Sequence, residues 1–220
     1  MGKILRDYWF AFFINVMMLI IGLSFYHRLP DRIPTHWNMY GQVDGWSTKT
    51  FGILFGPFLS FGLLLLFIAI PYIDPRRQNY LNFHGAYMLF VNGFMLFMAV
   101  VYVVTLLAGL GQPVAVDKIV ALGVAGLFFL LGVTLGRVKS NFFIGVRTPW
   151  TLENPVVWDK THRLAGYAFT AGGILIALSI FLPPVARFGV ILGTAGVIAA
   201  ITVVYSYFSF EAEKRKMGKW

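Results

Sequence analysis

Long apolar runs, separated by short polar segments, dominate the hydrophobic pattern of this chain. Six such runs cover residues 8–26, 51–73, 83–108, 120–135, 164–182 and 188–210. A helix that crosses a bilayer needs about 20 mostly apolar residues, because the hydrocarbon core is about 30 Å thick. The fourth run is shorter than the others and rich in glycine. The pattern predicts an all-α, polytopic membrane protein, a six-helix transmembrane bundle with two long structured loops.

The composition supports one membrane domain and leaves no room for a separate soluble one. The chain is 58% hydrophobic and 12% charged, a balance that a soluble fold of 220 residues cannot bury. We therefore expect a single membrane domain over residues 1–220, with three spans in the N-terminal half, 1–115, and three in the C-terminal half, 116–220. With an odd number of spans in each half, the second half would cross the membrane in the opposite direction to the first. The two halves could therefore form an inverted repeat like those of transporters.

The runs contain no Asp, Glu, Lys or Arg at their centres, which counts against an ion pump, a proton-coupled transporter and an intramembrane protease. The absence of cysteine excludes disulfides and thiol chemistry. The first run lacks a small-residue cleavage motif, so we expect it to remain as a helix.

The basic residues give the expected topology. The net charge of +9 does not indicate nucleic-acid binding, because the basic residues flank the spans instead of forming a patch on a soluble face. Most of the 18 Lys and Arg residues fall on the side of both termini. The positive-inside rule then predicts a multi-pass plasma-membrane protein with cytoplasmic N- and C-termini. The last cationic group on that side comprises Lys214, Arg215, Lys216 and Lys219.

The first long connection, residues 27–50, is expected to face outward. Pro30 and Pro34 favour extended backbone, whereas Gly41 and the pair Asp44-Gly45 favour turns. The segment therefore predicts an extended stretch, a turn and a return to the membrane, and this turn could bring together His36 and Asp44.

This imidazole and carboxylate could share a proton, bind a divalent cation, grip a peptide or simply fix the shape of the loop. No His-x-x-x-His pair supports a closed metal site, so no metal or cofactor is assigned. The residues considered for ligand binding are His36, Trp37, Asn38, Asp44 and Trp46.

The second long connection, residues 137–163, is expected to face the cytoplasm. Pro149 and Pro155 divide it into two short helical elements, the second of which runs into the fifth span. Arg147 could clamp a phosphate or carboxylate with its forked guanidinium, with Glu153 or Asp159 as an internal partner, or it could serve as a lipid anchor.

His162 follows Asp159 by less than one helical turn, so we expect a pair on the helix surface and not a catalytic dyad. The residues considered for an inner-face partner or anion are Asn141, Arg147, Thr148, Trp158 and His162.

Both connections resemble one known family. Residues 29–38, followed by Gly41 and Asp44-Gly45-Trp46, are similar to an "LP-x-x-IP-x-H…G-x-x-DG" signature of a membrane domain of unknown function. Residues 141–148, with Trp158, Thr161-His162 and Gly166, resemble the "N-x-x-x-G-x-R-T…W-x-x-(T/A)-(H/N)" signature of the SdpI family. Proteins of that family often carry both signatures in this order.

The resemblance implies a bacterial or archaeal immunity and signalling protein without enzymatic turnover. The outer loop would meet a membrane-active toxin peptide, the inner loop would meet a cytoplasmic partner such as a repressor, and lipids would surround the spans. Two alternatives remain: a small transporter or lipid-handling protein with the loops as gates, and a membrane enzyme with a metal at His36 and Asp44.

Overall fold

The computed structural model describes residues 2–216 and 218, and it contains six long apolar helices. Lys219, counted above among the cytoplasmic cations, lies outside the described residues. The helices are α1 (Gly2–Phe25), α2 (Lys49–Ile73), α3 (Tyr80–Gly109), α4 (Val116–Leu135), α5 (Pro149–Glu153), α6 (Pro155–Leu178) and α7 (Pro184–Lys216). All except the short α5 are long and apolar enough to span a membrane, which confirms the predicted six-helix fold.

Local sequence explains where the helices of the inner connection begin. Thr148 caps α5 by accepting a hydrogen bond from the backbone amide of Thr151, and Pro149 occupies the first helical position. The side-chain oxygen of Asn154 accepts hydrogen bonds from the amides of Val156 and Val157, 2.8 and 3.2 Å away, so α6 starts at Pro155. A proline there loses nothing, because the first amide of a helix has no partner. The predicted helix from Pro155 into the fifth span is confirmed.

The outer connection forms an antiparallel hairpin of two strands, β1 (Arg32–Trp37) and β2 (Val43–Thr48). Its register places His36 opposite Gly45, with irregular pairing on either side of His36. Ile33, which is fully buried, fastens the hairpin to the bundle by packing against Gly52 of α2 and Gly109 of α3. The expected extended stretch, turn and return is therefore present.

Helix α3 connects the two halves of the bundle. It packs against α1 and α2 on one side and α4 on the other, while α6 packs between α4 and α7. The contact of α4 with α6 is very close: a methyl group added at Gly132 would lie 2.7 Å from the backbone nitrogen of Thr170. Glycine at such positions lets helix backbones approach without a side chain between them.

The two long connections lie at opposite ends of the bundle and fold differently. The hairpin lies beside the α3–α4 connection, because its tip at Gly41 approaches Asp117 at the start of α4. The inner connection, residues 137–163, bonds to the α2–α3 connection through Asn79 and Ser140. One is a hairpin and the other is a turn-rich segment with a short helix, so their local structures do not resemble each other.

Replacing Gly132 by alanine should separate α4 from α6 and lower the stability of the bundle. Overpacking of this kind costs about 1–3 kcal/mol, which should appear as a lower melting temperature of the purified protein in detergent.

The matched control is Gly189→Ala on α7, where the added methyl group meets no atom within 4 Å. Alanine favours helix by about 1 kcal/mol over glycine, so this variant should be as stable as the parent or more so. Equal melting temperatures for the two variants would contradict the packing described here.

Candidate functional site

His36 and Asp44 meet across the hairpin. The His36 Nδ1 atom lies 2.5 Å from the Asp44 Oδ1 atom, and both side chains are largely exposed. Gly45 lies directly across from His36, and a methyl group there would come within 2.8 Å of the His36 Cβ atom. The small residue thus lets the histidine lie over the strand and reach the neighbouring carboxylate.

Asn38 holds the tip of the hairpin. Its Oδ1 atom accepts hydrogen bonds from the amides of Tyr40 and Gln42, 2.9 and 3.1 Å away. Gly41 completes the turn with a φ of 75°, a left-handed conformation that glycine adopts without strain. The side-chain oxygen of Asn38 is therefore used in shaping the tip.

A pocket of about 350 Å³ lies between the hairpin and the ends of α3, α4 and α7. We call it the outer pocket. His36, Trp37 and Asn38 line it from the hairpin, and Asp117 and Arg187 line it from the bundle. Asp44 and Trp46 do not line it, and Trp46 is half exposed on the other strand. The five outer candidates therefore divide between the pocket and the exposed hairpin surface.

An ion pair forms the floor of the outer pocket. The Arg187 guanidinium is almost completely buried and bonds to the carboxylate of Asp117. Its remaining donors bond to the carbonyl oxygens of Ser179, Ile180 and Leu182, between 2.9 and 3.4 Å away. A buried charge requires such a set of partners, because desolvating it costs several kcal/mol.

Sequence reasoning missed Asp117 and Arg187 as parts of the site. The local signals were an aspartate in the first turn of a span, where the helix dipole favours a negative charge, and an arginine just after Pro183-Pro184. Neither signal indicates that the two residues meet, since they lie 70 positions apart.

Replacing Asp117 by alanine should leave the Arg187 charge buried without its counter-ion. Breaking a buried pair in this way costs about 3–5 kcal/mol, and this loss can be measured as a lower unfolding midpoint in detergent. The matched control is Asp31→Ala at the same end, where Asp31 is 94% exposed and pairs with Lys49. An exposed pair contributes about 0–1 kcal/mol, so similar losses for the two variants would contradict the role of the buried pair.

At the opposite end, Asn141 organises the first part of the inner connection. It is fully buried, and its Nδ2 atom donates to the carbonyl oxygens of Lys139 and Ile144 at 2.9 and 3.0 Å. Its Oδ1 atom accepts hydrogen bonds from the amides of Phe143 and Ile144 at 2.9 and 2.6 Å. The Asn141 side chain therefore bonds to both amide donors and carbonyl acceptors of the turn's backbone.

Asp74, a residue that the sequence did not single out, ties this turn to the other half of the bundle. It is buried, and its carboxylate accepts hydrogen bonds from the Tyr80 hydroxyl at 3.0 Å and the Phe142 amide at 2.9 Å. Arg76 adds bonds to the Ser140 hydroxyl and to the Leu152 carbonyl oxygen. The α2–α3 connection thus supports the inner connection directly.

His162 is buried and not on the helix surface, so the expected surface pair with Asp159 is wrong. Its ring stacks on Trp158, with 4.0 Å between the ring centres, and Nε2 accepts a hydrogen bond from the Val146 amide at 3.0 Å. Nδ1 then donates to the Trp158 carbonyl oxygen at 2.9 Å, so the imidazole is neutral in this arrangement. Asp159 pairs with Lys139 instead.

Trp158 and Thr148 are also buried, and both bond to neighbouring parts of the structure from within the inner connection. The Trp158 indole donates to the Val138 carbonyl oxygen at 2.8 Å, and the Thr148 hydroxyl bonds to Ser206 of α7 at 3.0 Å. With Asn141 and His162, they hold the inner connection from within.

Arg147 differs from the other four inner candidates because its side chain is exposed. Its guanidinium donates to the Phe142 carbonyl oxygen at 2.8 Å. The expected pairing with Glu153 or Asp159 is not found among the described residues, so that expectation is wrong. Arg147 is thus the one member of the set that offers its charge to an outside group.

Replacing His162 by phenylalanine should loosen the inner connection while keeping the ring stack on Trp158. The change leaves the buried Val146 amide without an acceptor, at a cost of about 1–3 kcal/mol. Amide hydrogen exchange should rise around residues 144–148. The control is His84→Phe at a half-exposed histidine near Asp7, which should leave exchange there unchanged. Unaltered exchange in the His162 variant would argue against the hydrogen bond to Val146.

Within residues 2–216 and 218, no group of three His, Cys, Asp or Glu side chains is placed to hold a metal ion. His36 and Asp44 alone would supply two ligands, and Asp44 already bonds to the imidazole.

These features define a multi-pass membrane protein with a pocket beside the hairpin at one end and a hydrogen-bonded inner connection at the other. Residues 137–206 match the model of the SdpI/YfhL protein family, and residues 13–61 match that of a domain of unknown function (DUF1648). The chain is 28% identical over 173 residues to the immunity protein SdpI of Bacillus subtilis (strain 168). The alignment covers 76% of this chain and 80% of that protein.

No solved structure matches the chain. The resemblance to the SdpI family inferred from the sequence is confirmed. The first match covers the inner connection, α5, α6 and most of α7, whereas the second covers the second half of α1, the hairpin and the first half of α2.

Proposed function

We propose that this protein is a plasma-membrane immunity and signalling protein that binds a membrane-active toxin peptide at its outer face. The similarity to an immunity protein supports this function. The structural observation that supports peptide binding is the outer pocket. There the hairpin borders a cavity of about 350 Å³ beside exposed aromatic and charged side chains.

The hairpin suits an amphipathic peptide better than a small polar molecule. Peptides that act on membranes present an apolar face and a basic polar face. Trp37 at the pocket and Trp46 on the exposed strand can contact the apolar face, and Asp44 can attract a basic side chain. Protection then follows from capture of the peptide, or from blocking its insertion, without chemical turnover.

The distribution of basic residues supports the proposed orientation. Arg76, Lys139 and Arg147 lie at the end of the bundle opposite the hairpin, and the positive-inside rule assigns such an end to the cytoplasm. We propose that a cytoplasmic partner, such as a repressor, meets the exposed surface of the inner connection there. The buried residues Asn141, Thr148, Trp158 and His162 would act by holding that surface in shape.

Replacing His36 or Trp46 by alanine should reduce protection in a toxin-sensitive bacterium that expresses the chain and is exposed to membrane-active peptides. Loss of a contact on the order of 1.4 kcal/mol weakens binding about tenfold, so survival curves should shift to lower peptide concentration by about that factor. Arg147→Ala should leave protection intact and abolish any peptide-dependent signal in the cytoplasm.

His27→Ala is the matched control, because it removes an exposed imidazole that packs beside Tyr26 and lies outside the hairpin. All variants should be compared at equal membrane expression. Equal protection by the His36 and His27 variants, or equal loss from the His36 and Arg147 variants, would oppose the proposed division between outer recognition and inner signalling.

A further inference from the structure

A second cavity, of about 360 Å³, lies beneath the inner connection and is lined mostly by apolar side chains. We call it the inner cleft. Its walls include Phe67 of α2, Tyr87 and Phe90 of α3, Leu131 of α4 and Phe169 of α6. The Tyr87 hydroxyl already uses its proton inside the bundle, because it donates to the Phe67 carbonyl oxygen at 2.5 Å. The walls are therefore suited to hydrocarbon.

The inner cleft has one charged end. Residues 143–147 close it on the side of the inner connection, and Arg147 is the charged residue among those that line it. One hydrogen bond, to the Phe142 carbonyl oxygen, is found for Arg147 within the described chain. A guanidinium carries five N–H donors in a fork that fits phosphate, so Arg147 has donors left for a ligand.

The side of the inner cleft is bordered by rings that are not fully covered by protein. Phe143 is 37% exposed, and Phe90 and Phe169 are half-buried. Phe90 and Phe169 belong to spans, so ring surface left uncovered there adjoins the bilayer, whereas Phe143 belongs to the inner connection. The cleft thus adjoins hydrocarbon at these two rings and has Arg147 at the end of the spans, an arrangement that suits a lipid molecule in one leaflet.

We propose that the inner cleft binds one acyl chain of an anionic phospholipid from the leaflet next to the inner connection, with the lipid phosphate on Arg147. This inference requires only that the six helices span a bilayer, and it does not depend on toxin binding. A soluble phosphate would leave the apolar walls unfilled, and a neutral hydrocarbon would leave Arg147 without its anion.

Lipid in the inner cleft would also stabilise the inner connection. An acyl chain there contacts Ile144, Gly145 and Val146, and the Val146 amide is the group that His162 holds. Gly145 has a φ of 105°, a conformation that other residues rarely adopt. The turn therefore has a defined backbone shape against which a bound acyl chain can pack. Occupancy should therefore slow amide hydrogen exchange over residues 144–148.

The experiment uses the full chain, purified in detergent and stripped of lipid, with two probes: phosphatidylglycerol and phosphatidylcholine of identical acyl chains. Native mass spectrometry measures bound lipid, and hydrogen exchange reports on residues 144–148. We expect phosphatidylglycerol to bind more tightly than phosphatidylcholine and to protect the loop. Arg147→Ala should weaken phosphatidylglycerol binding about five- to tenfold and reduce the preference, since charge-assisted hydrogen bonds are the stronger kind.

Two further variants separate the site from general surface charge. Arg163→Ala removes another exposed cation of the same end, one that does not line the cleft, and should bind phosphatidylglycerol like the parent. Ala86→Leu fills the cleft from α3, where Ala86 is buried, and should lower binding of both lipids. If the Ala86 variant does not fold, glycerol phosphate without acyl chains replaces it as a probe, and it should not protect the loop.

The proposal is overturned if the parent binds phosphatidylglycerol and phosphatidylcholine with equal affinity and Arg147→Ala changes neither affinity. It is also overturned if Arg163→Ala weakens binding as much as Arg147→Ala, which would indicate surface charge alone, or if glycerol phosphate protects residues 144–148 as well as the lipid does.

Discussion

Backbone amides and carbonyls at the ends of membrane spans must find partners inside the protein wherever water is scarce, and this requirement shapes both long connections. At one end the hairpin satisfies it with paired strands and with the Asn38 side chain at the tip. At the other end the Phe142 amide donates to the Asp74 carboxylate and the Phe143 amide donates to the Asn141 side chain. These backbone groups lie in a turn, outside any helix or strand that could pair them. The six helices satisfy the hydrogen-bonding groups of their own backbones. The shape of each end of the bundle therefore depends on the side chains that bond to the backbone of the two connections.

The sequence predicted features that depend on near neighbours and missed those that depend on distant ones. The six spans follow from length and hydropathy, the start of α6 follows from Asn154-Pro155, and the meeting of His36 with Asp44 follows from a turn placed between them. Asp74 and the Phe142 amide are 68 positions apart, so no local pattern could join them. His162 was misplaced for a related reason: Asp159 nearby suggested a surface, whereas the Val146 amide and the Trp158 ring bury the imidazole.

The two ends of the bundle are built for different interactions. At the hairpin end, exposed His36, Asp44 and Trp46 lie beside a pocket whose floor, Asp117 with Arg187, already has its charges paired. These three side chains are exposed, although His36 and Asp44 bond to each other. At the inner end, the candidates are mostly buried supports and Arg147 alone is presented outward. This difference is consistent with the proposed recognition of a peptide at one face and with the proposed binding of lipid or a partner at the other.

Recognition of an external peptide by the hairpin requires that the hairpin lie on the outer face of the membrane. Because the chain contains no cysteine, a single one can be introduced at Tyr40, exposed at the hairpin tip, or at Gln78, exposed beside the inner connection. Intact cells are treated with a thiol reagent that cannot cross the membrane, and labelling is measured before and after permeabilisation. We predict that Tyr40→Cys is labelled in intact cells and that Gln78→Cys is labelled only after permeabilisation. The reverse pattern would place the hairpin in the cytoplasm and contradict recognition of an external peptide by this loop.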